Sequence, residues 1–186
     1  LAASGCEEVW IGAESGSQKI LDAMEKGTKV EQIYRACERV KANNMRMALF
    51  LQFGYLGEER EDIDATIRML LDCMPHDIGV SISYPLPGTK FYEKVKDDLQ
   101  EKANWAESDD LAMMFRSTYS QAFYRELHRY VHRLYRSKQS GQELREGLQQ
   151  PAKVSAQWVK QAARMPLYRL AAWYHSLQLK RLAKAA

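Results

Sequence analysis

Three short segments of the chain carry side chains and glycines that are suited to holding a ligand. Glu14 follows an apolar run, where an ionised carboxylate is costly unless it meets a cation or hydrogen-bond donors. Gln52 ends a second apolar run with a side-chain amide that both donates and accepts hydrogen bonds. Gly88, between Pro87 and Thr89, permits a tight turn in which the backbone approaches a ligand closely.

Each of these segments follows a predicted β-strand. The runs Glu8–Ala13, Met45–Phe53 and Ile78–Tyr84 are apolar and rich in β-branched or aromatic residues. The second run is nearly continuous in apolar character, which predicts a parallel strand that is covered on both faces. The predicted strands start near residues 8, 46 and 78, so their starts lie 38 and 32 residues apart, the repeat length of a βα unit with a right-handed crossover. We therefore predict an α/β fold, the second half of a partial TIM-type (β/α) barrel with three βα units over residues 1–95. In such a fold the chemistry sits where strands end and helices begin.

Helices are predicted between the strands. The first starts at Ser17, and Gly27 is available as its left-handed stop. A capping box of Thr28 and Glu31 indicates the start of the second. The third is expected over residues 61–74, with one apolar stripe facing the core.

The three loops resemble the second half of the radical S-adenosylmethionine (SAM) barrel. The resemblance rests on Gly12–Ser17, Phe53–Glu58 and Tyr84–Thr89, together with GCEEVWIGAESGSQKILDAMEKG at the start and FYEKV after the last loop. It covers residues 5–95. Within that superfamily the likeness is to the cobalamin-domain-containing branch, which includes anaerobic magnesium-protoporphyrin monomethyl ester cyclase and many methylases. It implies a 5′-deoxyadenosyl radical that initiates methylation or oxidative cyclisation of a small organic substrate, tetrapyrrole-like or lipid-like.

The resemblance also implies which residues bind S-adenosylmethionine. Glu14 would accept hydrogen bonds from the ribose diol or the methionyl ammonium, and backbone amides at the following helix start would bind the methionyl carboxylate. The implied set is Glu14, Ser15, Gly16, Ser17, Gln52, Gly54, Tyr84, Pro87 and Gly88. The alternatives are helix capping by Glu14 or Ser17, a plain strand-end hydrogen bond for Gln52 and a core-rim ring for Tyr84. No catalytic residue or metal ligand is assigned.

The chain departs from the family pattern in two places. The family holds a four-iron four-sulfur cluster in a CxxxCxxC loop, whereas Cys6, Cys37 and Cys73 lie 31 and 36 residues apart and are interpreted as free thiols of a reducing cytoplasm. The cluster ligands, and any cobalamin domain, are expected upstream of Leu1, in the missing N-terminal half of a longer protein. Leu56 also stands where relatives usually have proline.

The second half of the chain has a different composition. Residues 1–95 carry 11 basic and 15 acidic side chains, and residues 96–186 carry 16 basic and 9 acidic ones. We predict a helical extension over 96–150, with a long helix from Ser117 to Lys138 that ends before Gly141. Trp105, Met113, Met114 and Phe115 would cover the barrel mouth or, more simply, form core.

Residues 151–186 are expected to form a basic amphipathic helical tail, broken by Pro166. Leu167, Leu170, Ala171, Tyr174 and Leu177 share one helical face, and every charged residue after Pro151 is basic. The tail therefore suits an interfacial helix on an anionic membrane, and packing against the acidic first half is the alternative.

Several function classes are disfavoured by the sequence. No run of 18 apolar residues is present, no export leader opens the chain, and no nucleic-acid recognition module is visible. His128 and His132 have metal-ligand spacing, but the surrounding arginines favour a solvated helix face. The sequence thus predicts a cytoplasmic enzyme fragment, which associates with a membrane if the tail is an interfacial helix. A methylthiotransferase of the same superfamily and a non-catalytic interaction module with a peripheral membrane helix remain the alternatives.

Overall fold

The computed structural model describes residues 1–99, 114–149 and 156–184. The chain divides into two compact units, Leu1–Tyr124 and the segment from Arg125 onward. The strands of the first unit are β1 (Glu8–Glu14), β2 (Arg46–Phe53) and β3 (Asp77–Ile82). Its helices are α1 (Gln18–Ala23), α2 (Val30–Ala42), α3 (Arg60–Cys73) and α4 (Lys90–Val95), with 3-10 turns at Ala2–Ser4 and Lys96–Asp98. The two long helices are α5 (Gln121–Gln149), which starts in the first unit, and α6 (Ala156–Leu182).

The three strands form one parallel sheet in the order β1-β2-β3. The predicted α/β fold is confirmed, and all three predicted strands are present within two residues of the predicted bounds. Each strand is followed by a helix, so the strand carboxyl ends share one edge of the sheet. Closure into a partial TIM-type barrel stays a prediction, as do the boundaries at residues 95 and 150.

Among the described residues, α2 and α3 cover one face of the sheet, whereas the other face is partly open. Met47, Leu49, Leu51 and Phe53 of β2 are buried on the face that α2 and α3 cover. On the other face Phe50 is 48% exposed, and its ring lies 4.6 Å from that of Trp10. The expectation that β2 is covered on both faces was therefore wrong for the described residues.

Two predicted helix boundaries were also wrong. Helix α1 is ended by Glu25, which adopts a left-handed conformation with a φ of 54°. This conformation allows the amide of Lys26 to donate to the carbonyl of Leu21. Gly27 therefore lies outside the helix end. The second helix begins at Val30, and the Lys29 amide donates to Gln32 Oε1 at 2.7 Å in place of the predicted Thr28 capping box.

Glycine 16 fixes the approach of the first loop to α3. A Cβ at Gly16 would lie 2.5 Å from the carbonyl oxygen of Ala65, so only glycine fits between β1 and α3 at this point. Cys37 on α2 and Cys73 on α3 are buried free thiols, and the interpretation of both as free thiols is confirmed.

The long helices run through residues that were expected to stop them. Helix α5 continues past Gly141, and Gly147 lets the Trp158 indole approach α5 and donate to the Glu143 carbonyl at 2.7 Å. Helix α6 continues through Pro166, which is exposed. Because proline has no amide hydrogen, one backbone carbonyl in the preceding turn loses its hydrogen bond, and water can solvate it at this exposed position.

None of the helices in the described ranges is both long and apolar enough to cross a lipid bilayer. Met114 and Phe115 are buried core residues, whereas Trp105 and Met113 lie outside the described residues.

Candidate functional site

A cavity of about 290 Å³ lies at the carboxyl edge of the sheet. This volume is at the lower end of the roughly 300–1,000 Å³ range of small-molecule sites. All three loops that follow the strands contribute to its lining, which confirms that they converge. The lining residues are Glu14, Ala23, Met24, Glu25, Lys26, Gln52, Tyr55, Thr89, Lys90, Phe91 and Lys94.

Glu14 reaches this cavity through an irregular end of β1. The register against β2 shifts between Gly12 and Glu14, and Glu14 adopts a left-handed backbone conformation with a φ of 57°. Its Oε1 accepts a hydrogen bond from Lys26 Nζ at 2.9 Å. Both groups lie close to Gly12, which has no side chain and therefore leaves room for them. Because the carboxylate contacts Lys26, the alternative that Glu14 caps α1 is not supported.

Gln52 and Tyr55 line the cavity from the end of β2. The side-chain amide of Gln52 is half-buried and has no hydrogen-bond partner among the described residues, so it can still donate and accept. Tyr55 donates its hydroxyl to the Ala23 carbonyl at 3.0 Å, and its ring stacks on Phe91 with centroids 4.6 Å apart. Burial raises the pKa of Tyr55, which keeps the phenol neutral.

Ser15, Gly16 and Ser17 do not line the cavity but attach the loop to α3. The Thr66 hydroxyl lies 3.0 Å from Ser15 Oγ and accepts from the Gly16 amide at 2.9 Å. Ser17 donates its hydroxyl to Asp62 Oδ1 at 2.6 Å, and its amide donates to Ser15 Oγ. The hydroxyl of Ser17 therefore does not cap α1. Neither the Gly16 nor the Ser17 amide is available to a ligand carboxylate in this arrangement.

Asp62 stays ionised where the first loop contacts α3. Burial raises the pKa of its carboxyl, but hydrogen bonds from Lys19 and Ser17 outweigh burial, and the pKa is lowered overall. The Lys19 amine lies 2.9 Å from Asp62 Oδ2, and the Glu59 amide donates to the same oxygen. This ionic contact joins the start of α1 to the start of α3.

The remaining predicted residues shape the loops around the cavity. Gly54 and Gly88 both adopt left-handed conformations, with φ values of 82° and 84°. The Thr89 amide closes the turn onto the Leu86 carbonyl, and its hydroxyl caps α4. Tyr84, Pro87 and Gly88 do not line the cavity themselves.

A buried glutamate supports the second loop and was missed by the sequence analysis. Glu58 is fully buried, and its Oε2 accepts from the Gly54 amide at 2.7 Å. Its Oε1 is buried without a partner among the described residues. Burial raises the pKa of Glu58 to about 8, so the carboxyl is mainly protonated at neutral pH. The Phe53–Glu58 loop contains this residue, but nothing in the sequence indicated its burial.

The residues described here do not suit an iron–sulfur cluster. No group of three or more histidine, cysteine, aspartate or glutamate side chains converges within the described ranges to hold a metal ion. Cys37 and Cys73 lie buried on two helices, and Cys6 precedes β1. The cluster that the family resemblance implies therefore cannot be held by these residues.

A second cavity, of about 650 Å³, lies beside the outer edge of β1 against α2. Val9 and Ile11 line it from the strand, and Arg35 and Val40 from the helix. It is larger than the first cavity but lies away from the strand carboxyl ends, where a parallel α/β sheet places its chemistry. We therefore assign the candidate site to the smaller cavity.

Comparison with known proteins finds relatives that match part of this chain. The mitochondrial tRNA methylthiotransferase of Mus musculus is 28% identical over 120 residues, which are 63% of this chain and 20% of the relative. The bacteriochlorophyllide d C-12(1)-methyltransferase of Chlorobaculum tepidum is 28% identical over 113 residues, which are 60% of this chain and 25% of the relative. This chain is similar to radical SAM enzymes. The relatives support that superfamily, which the loops predicted, but not the cyclase-like branch within it.

A third relative, the tRNA-2-methylthio-N(6)-dimethylallyladenosine synthase of Anaplasma phagocytophilum, is 32% identical over 88 residues, which are 44% of this chain and 19% of the relative. No family model matches the chain. The chain thus spans about a fifth to a quarter of the length of these three relatives.

Proposed function

We propose that this chain is the C-terminal part of a radical SAM enzyme and that the cavity at the carboxyl edge of the sheet binds S-adenosylmethionine. The observation that carries the proposal is the placement of Glu14. Its backbone is held in an unfavourable left-handed conformation, and its carboxylate lies in the cavity with Lys26 as its partner. Strained conformations of this kind cluster at ligand sites.

The donor and acceptor groups of the cavity fit the chemistry of S-adenosylmethionine. Glu14 accepts hydrogen bonds from the ribose diol or the methionyl ammonium, and Gln52 binds the adenine or ribose edge with its free amide. The stacked rings of Tyr55 and Phe91 form the apolar wall of the cavity. When bound and reductively cleaved, S-adenosylmethionine supplies a 5′-deoxyadenosyl radical. The cluster needed for that cleavage is bound by cysteines outside this chain.

The first candidate reaction is methylation or oxidative cyclisation of a tetrapyrrole-like or lipid-like organic substrate. The resemblance of the three loops supports it, and so does the relative that acts, by its name, on bacteriochlorophyllide d. In this candidate a cobalamin domain belongs to the longer protein, as in the branch that the loops resemble. Nucleic acid is then not a partner.

The second candidate is tRNA methylthiolation. Two of the relatives described above bear names of tRNA-modifying methylthio enzymes, which favours it. Against it, the sheet is followed along the chain by the long helices α5 and α6, where a methylthiotransferase is expected to have an RNA-binding β-barrel. Incubation of the longer protein with unmodified tRNA or with a tetrapyrrole, followed by mass spectrometry of each, separates the two candidates.

Equilibrium dialysis of the chain against radiolabelled S-adenosylmethionine tests the binding proposal. The Glu14→Gln variant removes the charge and keeps the shape, so we expect about tenfold or greater loss of affinity, as for other charge-assisted hydrogen bonds. The matched control is Glu93→Gln, on α4 outside the cavity, where the side chain pairs with Lys96. Equal affinity of wild type and Glu14→Gln would overturn the assignment.

A further inference from the structure

Helix α6 has two different apolar faces. One is already used within its unit, because Ala172 and Leu179 are buried and His175 Nδ1 lies 2.6 Å from Glu126 Oε1 on α5. The opposite face is exposed to solvent and equally apolar. We call it the α6 outer face, and it consists of Val159, Leu167, Leu170, Trp173 and Tyr174.

The outer face is a continuous stripe. Its residues recur at helical spacing, so they lie on one side of the helix over about 22 Å of its length. Each is between 52% and 65% exposed. A single exposed leucine is ordinary on a protein surface, whereas a contiguous stripe with tryptophan and tyrosine marks an interaction site.

The charges around this stripe all have one sign. Within the described part of α6 the charged side chains are Lys160, Arg164, Arg169, Lys180 and Arg181, with Lys184 just beyond the helix end. At a rotation of 100° per residue, Lys160 lies on one flank of the stripe and Arg169 and Lys180 on the other. Long basic side chains can extend along an apolar surface and keep their charges beside it.

We propose that the α6 outer face docks in the headgroup region of an anionic membrane. An apolar stripe with aromatic residues between cationic flanks matches the boundary between acyl chains and acidic headgroups. The helix lies on the bilayer and does not cross it, in agreement with the lack of any spanning helix in the described ranges. Because its inner face is held by its own unit, only the outer half of α6 needs to enter the headgroups. This inference does not rest on the proposed cofactor site.

Vesicle flotation of the full chain tests the proposal. Phosphatidylcholine vesicles are compared with vesicles that also contain phosphatidylserine, at low and at raised salt. We expect binding to the anionic vesicles and little to the neutral ones. The double variant Leu167→Glu and Leu170→Glu should weaken that binding by about tenfold or more, since two apolar side chains then carry charges that the acidic surface repels.

Leu148→Glu is the matched control, because Leu148 is a 70% exposed leucine on α5. Circular dichroism of each variant verifies that helix content is unchanged. The proposal is overturned if the wild type fails to bind anionic vesicles, or if the control variant weakens binding as much as the double variant. The proposal would also be overturned if the wild type formed a dimer in the absence of vesicles and the double variant did not. The outer face would then be assigned to self-association.

Tryptophan fluorescence gives a second readout that identifies the docking face. Brominated lipids quench an indole that enters the bilayer, so the wild type should be quenched and Trp173→Phe should lose most of that quenching. Trp10→Phe serves as the control, because Trp10 is an exposed tryptophan on the sheet of the first unit. Docking by α6 would be contradicted if the Trp10→Phe variant lost the quenching and the Trp173→Phe variant retained it.

Discussion

Glu14 combines a binding side chain with an unfavourable backbone. A non-glycine residue in the left-handed region costs on the order of 1–3 kcal/mol. The sequence indicated Glu14 because a carboxylate ended an apolar strand, but it gave no sign of the positive φ or of the partner Lys26. Both depend on a register shift between two strands that are distant in sequence, and no local pattern encodes such a shift.

Replacing Glu14 by glycine should separate stability from binding. Glycine adopts the left-handed conformation without strain, and this gain offsets the loss of the partly exposed Lys26 ion pair, so we expect the free energy of unfolding to change by less than about 1 kcal/mol. S-adenosylmethionine binding should be lost. Urea denaturation and equilibrium dialysis measure the two quantities. Glu14→Val is the comparison, and it should be clearly less stable because a β-branched residue is unfavourable at positive φ.

Glu58 should make the stability of the chain depend on pH. The folded state keeps its proton up to about pH 8, whereas the unfolded chain releases it near the ordinary value of 4.5. Between these two values the unfolded state binds fewer protons, so the free energy of unfolding falls as pH rises, by up to about 1.4 kcal/mol per pH unit, and levels off above about pH 8.

The variant Glu58→Gln isolates this effect, since glutamine has no proton to release and can still accept from the Gly54 amide. We expect the free energy of unfolding of the variant not to decline with pH. The difference in this free energy between wild type and variant should therefore change steadily from about pH 5 to about pH 8. Urea denaturation across that range measures it. Parallel profiles for wild type and variant would show that Glu58 is ionised in the folded state.

At the level of elements, loop contacts with neighbouring helices decide details that the sequence left open. The strand positions followed from apolar runs, and the loops converge as a parallel sheet requires. The helix start at Val30 and the stop at Glu25 were not predicted, because Thr28 and Gly27 were the better local candidates. At the start of α2, the Gln18 side chain on α1 accepts from the Val30 amide and donates to the Thr28 carbonyl, and the sequence did not indicate this contact between two helices.

Gly16 lies closest to the backbone of α3 and leaves no room for a side chain. Gly16→Ala should destabilise the first unit by about 2–3 kcal/mol, because the new methyl group meets the backbone of Ala65 and no flexible side chain can yield. The matched substitution is Gly12→Ala, where the nearest atoms are the mobile ends of the Glu14 and Lys26 side chains. Its cost should stay near 1 kcal/mol or less. Similar denaturation midpoints for the two variants would contradict the packing described here.

At the level of the whole molecule, the first unit has one covered and one open sheet face. Trp10 and Phe50 lie on the open face, and β1 and β3 are edge strands of the three-stranded sheet. The sequence predicted the strands but read β2 as covered on both sides, because a nearly continuous apolar run does not reveal how many faces are buried.

An open apolar sheet face with two free edges favours self-association. Sedimentation velocity should therefore show the chain associating as its concentration rises. Phe50→Lys should shift it toward the monomer, since a charge then occupies the centre of the open face. Unchanged helix content by circular dichroism is the control for folding. A wild type that stays monomeric at high concentration would contradict this expectation.

The most direct test of the cofactor site is a crystal structure of the chain with S-adenosylmethionine or its demethylated product, S-adenosylhomocysteine. We expect electron density for the adenosyl group in the cavity at the carboxyl edge of the sheet. The ribose or the amino acid moiety should contact Glu14, and the base or ribose should contact Gln52. Density at another place, such as the larger cavity beside α2, or an empty cavity at saturating ligand, would contradict it.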